Sequence, residues 1–137
     1  MAFHLYHIAE MYSNADGTVQ FIELHGEQIG QNLLMNHKIK VVQGATTHEY
    51  TFPSNLPSPA TLNKTVLLAT QGFANLGLVT PDYIIPDGFL FTNGGTVTFP
   101  SDSATNDVVT YASLPTNGTL SQNGAGVNGT NSPSNFA

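Results

Sequence analysis

Two glutamates and a histidine carry the most suggestive chemistry in this chain. Glu10 and Glu23 each stand among apolar residues in the stretch His-Ile-Ala-Glu-Met-Tyr-Ser-Asn-Ala-Asp-Gly-Thr-Val-Gln-Phe-Ile-Glu-Leu, and His25 follows two residues later. If Asp16-Gly17 forms a two-residue loop, Ala15 faces Thr18, and counting back along both strands sets Glu10 opposite Glu23. A three-residue loop puts Glu10 against Ile22 instead. Facing carboxylates repel, so the first register requires a cation, a shared proton or hydrogen-bond donors.

Three roles fit such a pair. A structural role uses donors, and Tyr6 and Tyr12, expected on the Glu10 face, are the candidates; Tyr6, Tyr12, Glu10 and Glu23 then form the candidate binding set. A metal role places a calcium-like ion between Glu10 and Glu23. An acid/base role makes Glu10 and Glu23, with His25 close by, the centre of a small glycosidase-type hydrolase, which needs carboxyl groups roughly 5 to 9 Å apart in an open cleft.

Other templates fail. The sequence has no Gly-x-Ser-x-Gly elbow, no cysteine, no glycine-rich phosphate loop and no Asp-x-Asp-x-Asp-Gly calcium loop. His4 and His7 are three apart on an expected strand and so point to opposite faces. His25, His37 and His48 lie in no zinc-binding spacing. No resident cofactor is expected.

The elements that must position these residues are strands. Aromatic and β-branched runs separated by Gly, Pro and Asn predict strands at 3–12, 19–25, 37–43, 47–52, 65–70, 89–91, 96–99 and 108–112. One helical turn is expected near 71–76, and surface loops around Pro53 to Pro59 and Pro81 to Pro86. Ile8, Phe21, Ile22, Leu24, Val66, Leu68, Val97, Phe99, Val109 and Tyr111 are the expected core. Residues 1–114 read as an all-β sandwich. Residues 115–137, rich in Gly, Asn, Ser and Thr, read as an extended polar segment packing on the same domain, held by Phe136.

Ile8-x-Glu10, the Asn/Gly turn and Phe21-Ile22-Glu23-Leu24 resemble the opening of the lamin tail domain family. Thr51-Phe52-Pro53, Val66-Leu67-Leu68-Ala69, Gly94-Gly95-Thr96-Val97-Thr98-Phe99, Asp107-Val108-Val109-Thr110-Tyr111 and Asn131-Ser132-Pro133-Ser134-Asn135-Phe136 follow in the family's order. The resemblance implies an immunoglobulin-like β-sandwich. It also implies secretion, as is usual for the family's bacterial members, and a structural role for glutamates in the first hairpin.

Composition points the same way. A 137-residue chain is long enough for one two-sheet core without disulfides. Three lysines, no arginine and nine acids give a net charge of −6, which argues against binding nucleic acid or anionic membranes. No apolar run approaches the roughly 18 residues of a membrane span. Met1 to His4 lack the charged start and apolar core of a signal peptide, so the expectation is an exported protein whose leader has been removed, with a cytosolic location as the other reading. The expected function is a non-catalytic extracellular binding or structural module. Its partner is a polysaccharide, a protein or a copy of itself; Tyr50, Tyr83 and Phe89 are the residues available for a sugar-binding platform.

Overall fold

The computed structural model describes residues 5–137, so Phe3 and His4, at the start of the first expected strand, lie outside the described residues. Strand β1 (Tyr6–Ser13) and β2 (Gln20–Gly26) form the first hairpin. β3 (Lys38–Gln43), β4 (Thr46–Thr51) and β5 (Thr65–Thr70) follow, then the single-turn helix α1 (Gln71–Ala74). β6 (Tyr83–Ile85), β7 (Gly95–Phe99), β8 (Asp107–Tyr111), β9 (Leu120–Asn123) and β10 (Asn128–Thr130) complete the chain. They make a six-stranded sheet in the order β10-β9-β1-β2-β5-β6 and a four-stranded sheet in the order β4-β3-β7-β8, packed as a β-sandwich. All neighbours are antiparallel except β5 and β6.

Alternation along the strands builds the space between the sheets. Ile8, Met11, Ile22, Leu24, Val66 and Leu68 from one sheet meet Ile39, Val41, Val97, Phe99, Val109 and Tyr111 from the other. All ten expected core residues are buried, but Phe21 belongs to a second layer. With Tyr12, Leu67, Ala69 and Phe73 it packs on the outer face of the six-stranded sheet, beneath α1. Covering both faces explains why Val66-Leu67-Leu68-Ala69 is a continuous apolar run rather than an alternating one. Thr70 caps α1 by accepting the Phe73 N–H at 3.3 Å.

Two strand assignments change. Residues 89–91 are not a strand: the buried side-chain amide of Gln20 binds the Leu90 N–H and C=O at 2.9 and 2.8 Å, doing locally what a neighbouring strand would do. The edge strand is instead Tyr83–Ile85, inside the expected loop. Its flanking prolines stop it after three residues, and Tyr83 and Ile85 are buried. Residues 115–137 also contain β9 and β10, which extend the six-stranded sheet beyond β1. Their polar side chains gave no apolar pattern to reveal them.

Candidate functional site: a carboxyl pair under a polypeptide strap

The first hairpin brings Glu10 opposite Glu23, with Met11 opposite Ile22 and Tyr12 opposite Phe21. Of the two registers the sequence leaves open, the chain takes the facing one, but the loop that sets it is longer than two residues. Asn14 donates to the Val19 carbonyl at 2.9 Å and its side chain accepts from the Val19 N–H at 3.2 Å, leaving a four-residue loop, Ala15 to Thr18, with Gly17 at φ 77°. Asp16 accepts from the Thr18 N–H and hydroxyl at 3.1 and 2.7 Å. A four-residue loop takes one residue from each strand relative to a two-residue one, so pairing is unchanged.

A β-bulge lies between Ile8 and Glu10. The extra residue, Ala9, reverses the facing of everything before it. Tyr6 therefore joins Ile8 in the core between the sheets, edge-on to Phe99, with its hydroxyl donating to the Gln31 carbonyl at 2.6 Å. The expectation that Tyr6 shares the Glu10 face is corrected: strict alternation cannot survive the bulge. Tyr12, beyond it, stays on the Glu10 side but stacks on Phe21, its ring centroid 5.3 Å away. The backbone just after β9 comes close here. A Cβ at Gly124 would overlap the Ile8 carbonyl, so only glycine fits.

The groups satisfying the pair come from the far end of the chain. Ser121 on β9 donates its hydroxyl to Glu10 Oε1, the Ser132 N–H donates to the same oxygen at 2.8 Å, and the Ser132 hydroxyl donates to Oε2 at 3.1 Å. The Ser134 N–H approaches the Glu23 carboxyl. Further along, Asp82 accepts the Phe136 N–H at 3.0 Å and the Leu67 N–H of β5 at 2.8 Å. Asn135 donates to the Thr80 carbonyl at 2.9 Å, and the Lys64 ammonium lies 5.7 Å from the centre of the buried Phe136 ring. Residues 131–135 thus run as a strap over β1 and β2 on the outer face of the sheet, and at Asp82 the chain delivers the Phe136 ring into the core cluster between the sheets.

Electrostatics assigns the proton. Burial, then the hydrogen bond and charge of Glu10, push Glu23 up to about 9, with Ser134 pulling weakly the other way. Burial alone would raise Glu10 too, but hydrogen bonds from Glu23, Ser121 and Ser132 outweigh it and hold Glu10 below the usual carboxylate range. Near neutral pH the pair carries one proton, placed on Glu23 and donated to Glu10. Glu23 Oε1 is buried with no hydrogen-bond partner among the described residues.

The chain matches no family model, no curated protein and no solved structure. Its chemistry is read from the geometry. Carboxyls in hydrogen-bond contact are closer than the roughly 5 to 9 Å of glycosidase pairs, and they are 8% and 5% exposed. Glu10 borders a recess of about 260 Å³ with Ser121, Asn123, Asn128, Thr130 and Ser132; Glu23 does not. His25 lies against His7, ring centroids 5.0 Å apart, and His7 pairs with Glu27.

The donors around Glu10 are hydroxyl and amide hydrogens, which suit a carboxylate and repel a cation. No group of three or more His, Cys, Asp or Glu that could hold a metal occurs among the described residues. Tyr83 and Phe89 are buried and Tyr50 is half-buried, so the three do not form an exposed aromatic platform. The sequence reading missed Ser121, Ser132, Ser134 and Asp82. Serines and backbone N–H groups more than a hundred residues from Glu10 leave no local signature.

Proposed function

We propose that the protein is a non-catalytic extracellular binding or structural module, in which Glu10 and Glu23 act as a clasp for the strap rather than as reacting groups. The observation that carries this reading is the pair itself: buried, with Glu10 bound by Ser121 and Ser132. A carboxyl pair used for hydrolysis must admit substrate between or beside its oxygens. Here both Glu10 oxygens accept from Ser121 and Ser132, and Glu23 does not reach the recess that Glu10 borders. The two-sheet architecture, together with the resemblance to the lamin tail family, supports an immunoglobulin-like module of the kind that presents surfaces rather than clefts. The acidic, arginine-free composition suits an exported protein and does not suit nucleic-acid binding. Protein or a second copy is favoured over polysaccharide as the partner, because Tyr83 and Phe89 are committed to the core.

The test is a turnover screen on a panel of glycosides and esters with wild type, Glu10→Gln and Glu23→Gln. All three should be inactive, with the variants differing from wild type only in stability. Reproducible wild-type turnover abolished by either substitution overturns the reading.

A further inference from the structure

In an extended chain successive N–H groups point to opposite sides, so those of Ser132, Ser134 and Phe136 share one side. They meet three carboxyls carried by neighbouring parts of the sheet: Glu10 on β1, Glu23 on β2, and Asp82 just before β6, which also holds the Leu67 N–H of β5. Pro133, at an intervening position where the N–H would point away, costs no bond. These carboxyls are therefore an acceptor row for alternate N–H groups of an extended peptide, beginning on the outer face and ending at Asp82, where the Phe136 ring enters the core between the sheets. The strap is this row's ligand, tethered to the same chain.

The tether is weak. Residues 116–119 are exposed, β9 pairs with β1 through only two residue pairs, and all three residues of β10 are exposed. Ser132 and Ser134 are themselves exposed beyond their bonds to the sheet, so the strap's large buried side chain is Phe136 alone. Nothing in these contacts depends on the strap belonging to the same chain.

We infer that the outer face of the six-stranded sheet is a peptide-docking surface whose partner is the residue 131–137 strap of a second copy of this chain, so that copies join by strap exchange. This rests on the non-catalytic reading of Glu10 and Glu23 and names the partner that reading leaves open. Every copy carries both the donor segment and the acceptor row, so exchange needs no new surface. The tether gives the chain's own strap an effective concentration on the order of millimolar, so closure within one chain competes until copies are crowded.

The decisive probe is a fluorescein-labelled peptide with the sequence of residues 128–137, titrated against full-length wild type and a full-length Ser132→Pro/Ser134→Pro variant whose own strap lacks two of the three N–H donors. The variant should bind the peptide more tightly than wild type. A peptide carrying the same two prolines should bind the variant roughly tenfold or more weakly, as loss of the Ser132 N–H and hydroxyl bonds to Glu10, together with the Ser134 N–H beside Glu23, requires. Equal binding by the two proteins, or by the two peptides, overturns the proposal. Light scattering of the full chain over a concentration series should show a dimer fraction that rises with concentration, and a monomer at every concentration overturns exchange. Turnover in the screen above overturns the non-catalytic reading and leaves the titration intact, so the two failures are distinguishable.

Discussion

At neutral pH a single proton lets two carboxyls share one buried strand pair, and its position makes stability depend on pH in opposite directions on the two sides. Unfolded Glu23 releases its proton near 4.5, whereas folded Glu23 keeps it up to about 9. Its contribution is therefore complete below about pH 4.5 and is lost as pH rises toward 9. Glu10, held low, contributes above its ordinary value near 4.5 and loses that contribution as the solution becomes more acidic than this. The wild-type melting temperature should accordingly decline from mildly acidic to alkaline pH, and Glu23→Gln, permanently neutral yet still able to donate to Glu10, should flatten that slope. A slope unchanged in the variant would mean that Glu23 does not hold the proton. Glu10→Ala should be costlier, by about 1 to 3 kcal/mol, because it strands the Ser121 and Ser132 donors and the Glu23 proton together; chemical denaturation at pH 6 measures it.

Among the elements, β1 shows most clearly how one residue redirects chemistry. Ala9 separates an outward Glu10 from an inward Tyr6, and without the bulge both would lie on the same face. Strand β5 is buried on both sides, so Leu68→Ala in the core between the sheets should cost roughly 2 to 5 kcal/mol. A neutral result would remove β5 from the core. The strap gains order from Phe136: Phe136→Ala should lower stability by about 1.5 to 3 kcal/mol and increase hydrogen exchange at the Ser132 and Ser134 amides. Amides as protected in that variant as in wild type would show that Glu10 and Glu23 hold the strap unaided.

For the whole molecule, apolar burial between the sheets and under α1 provides the cohesion, with the carboxyl row fixing where the strap lies. Metal is expected to add nothing: the melting temperature should be the same in EDTA and in millimolar calcium, and a calcium-dependent increase would place an ion at Glu10 and Glu23. Much of this was legible in the amino-acid order. Although the sequence narrowed the pairing of Glu10 only to Glu23 or Ile22, the loop length deciding between them, alternating β-branched and aromatic runs mark the two-sheet fold because strand periodicity is local. The continuous run of β5 marks burial on both faces for the same reason. Tertiary structure alone decided what the glutamates are for. The bulge at Ala9, the Gln20 bonds that replace a strand at Leu90, the arrival of Ser121, Ser132 and Ser134 over the outer face, and the entry of Phe136 into the core between the sheets all depend on contacts between residues far apart in sequence. Their donors are hydroxyls and backbone N–H groups that most polar segments possess, so only their placement on a folded sheet turns two repelling carboxylates into a clasp.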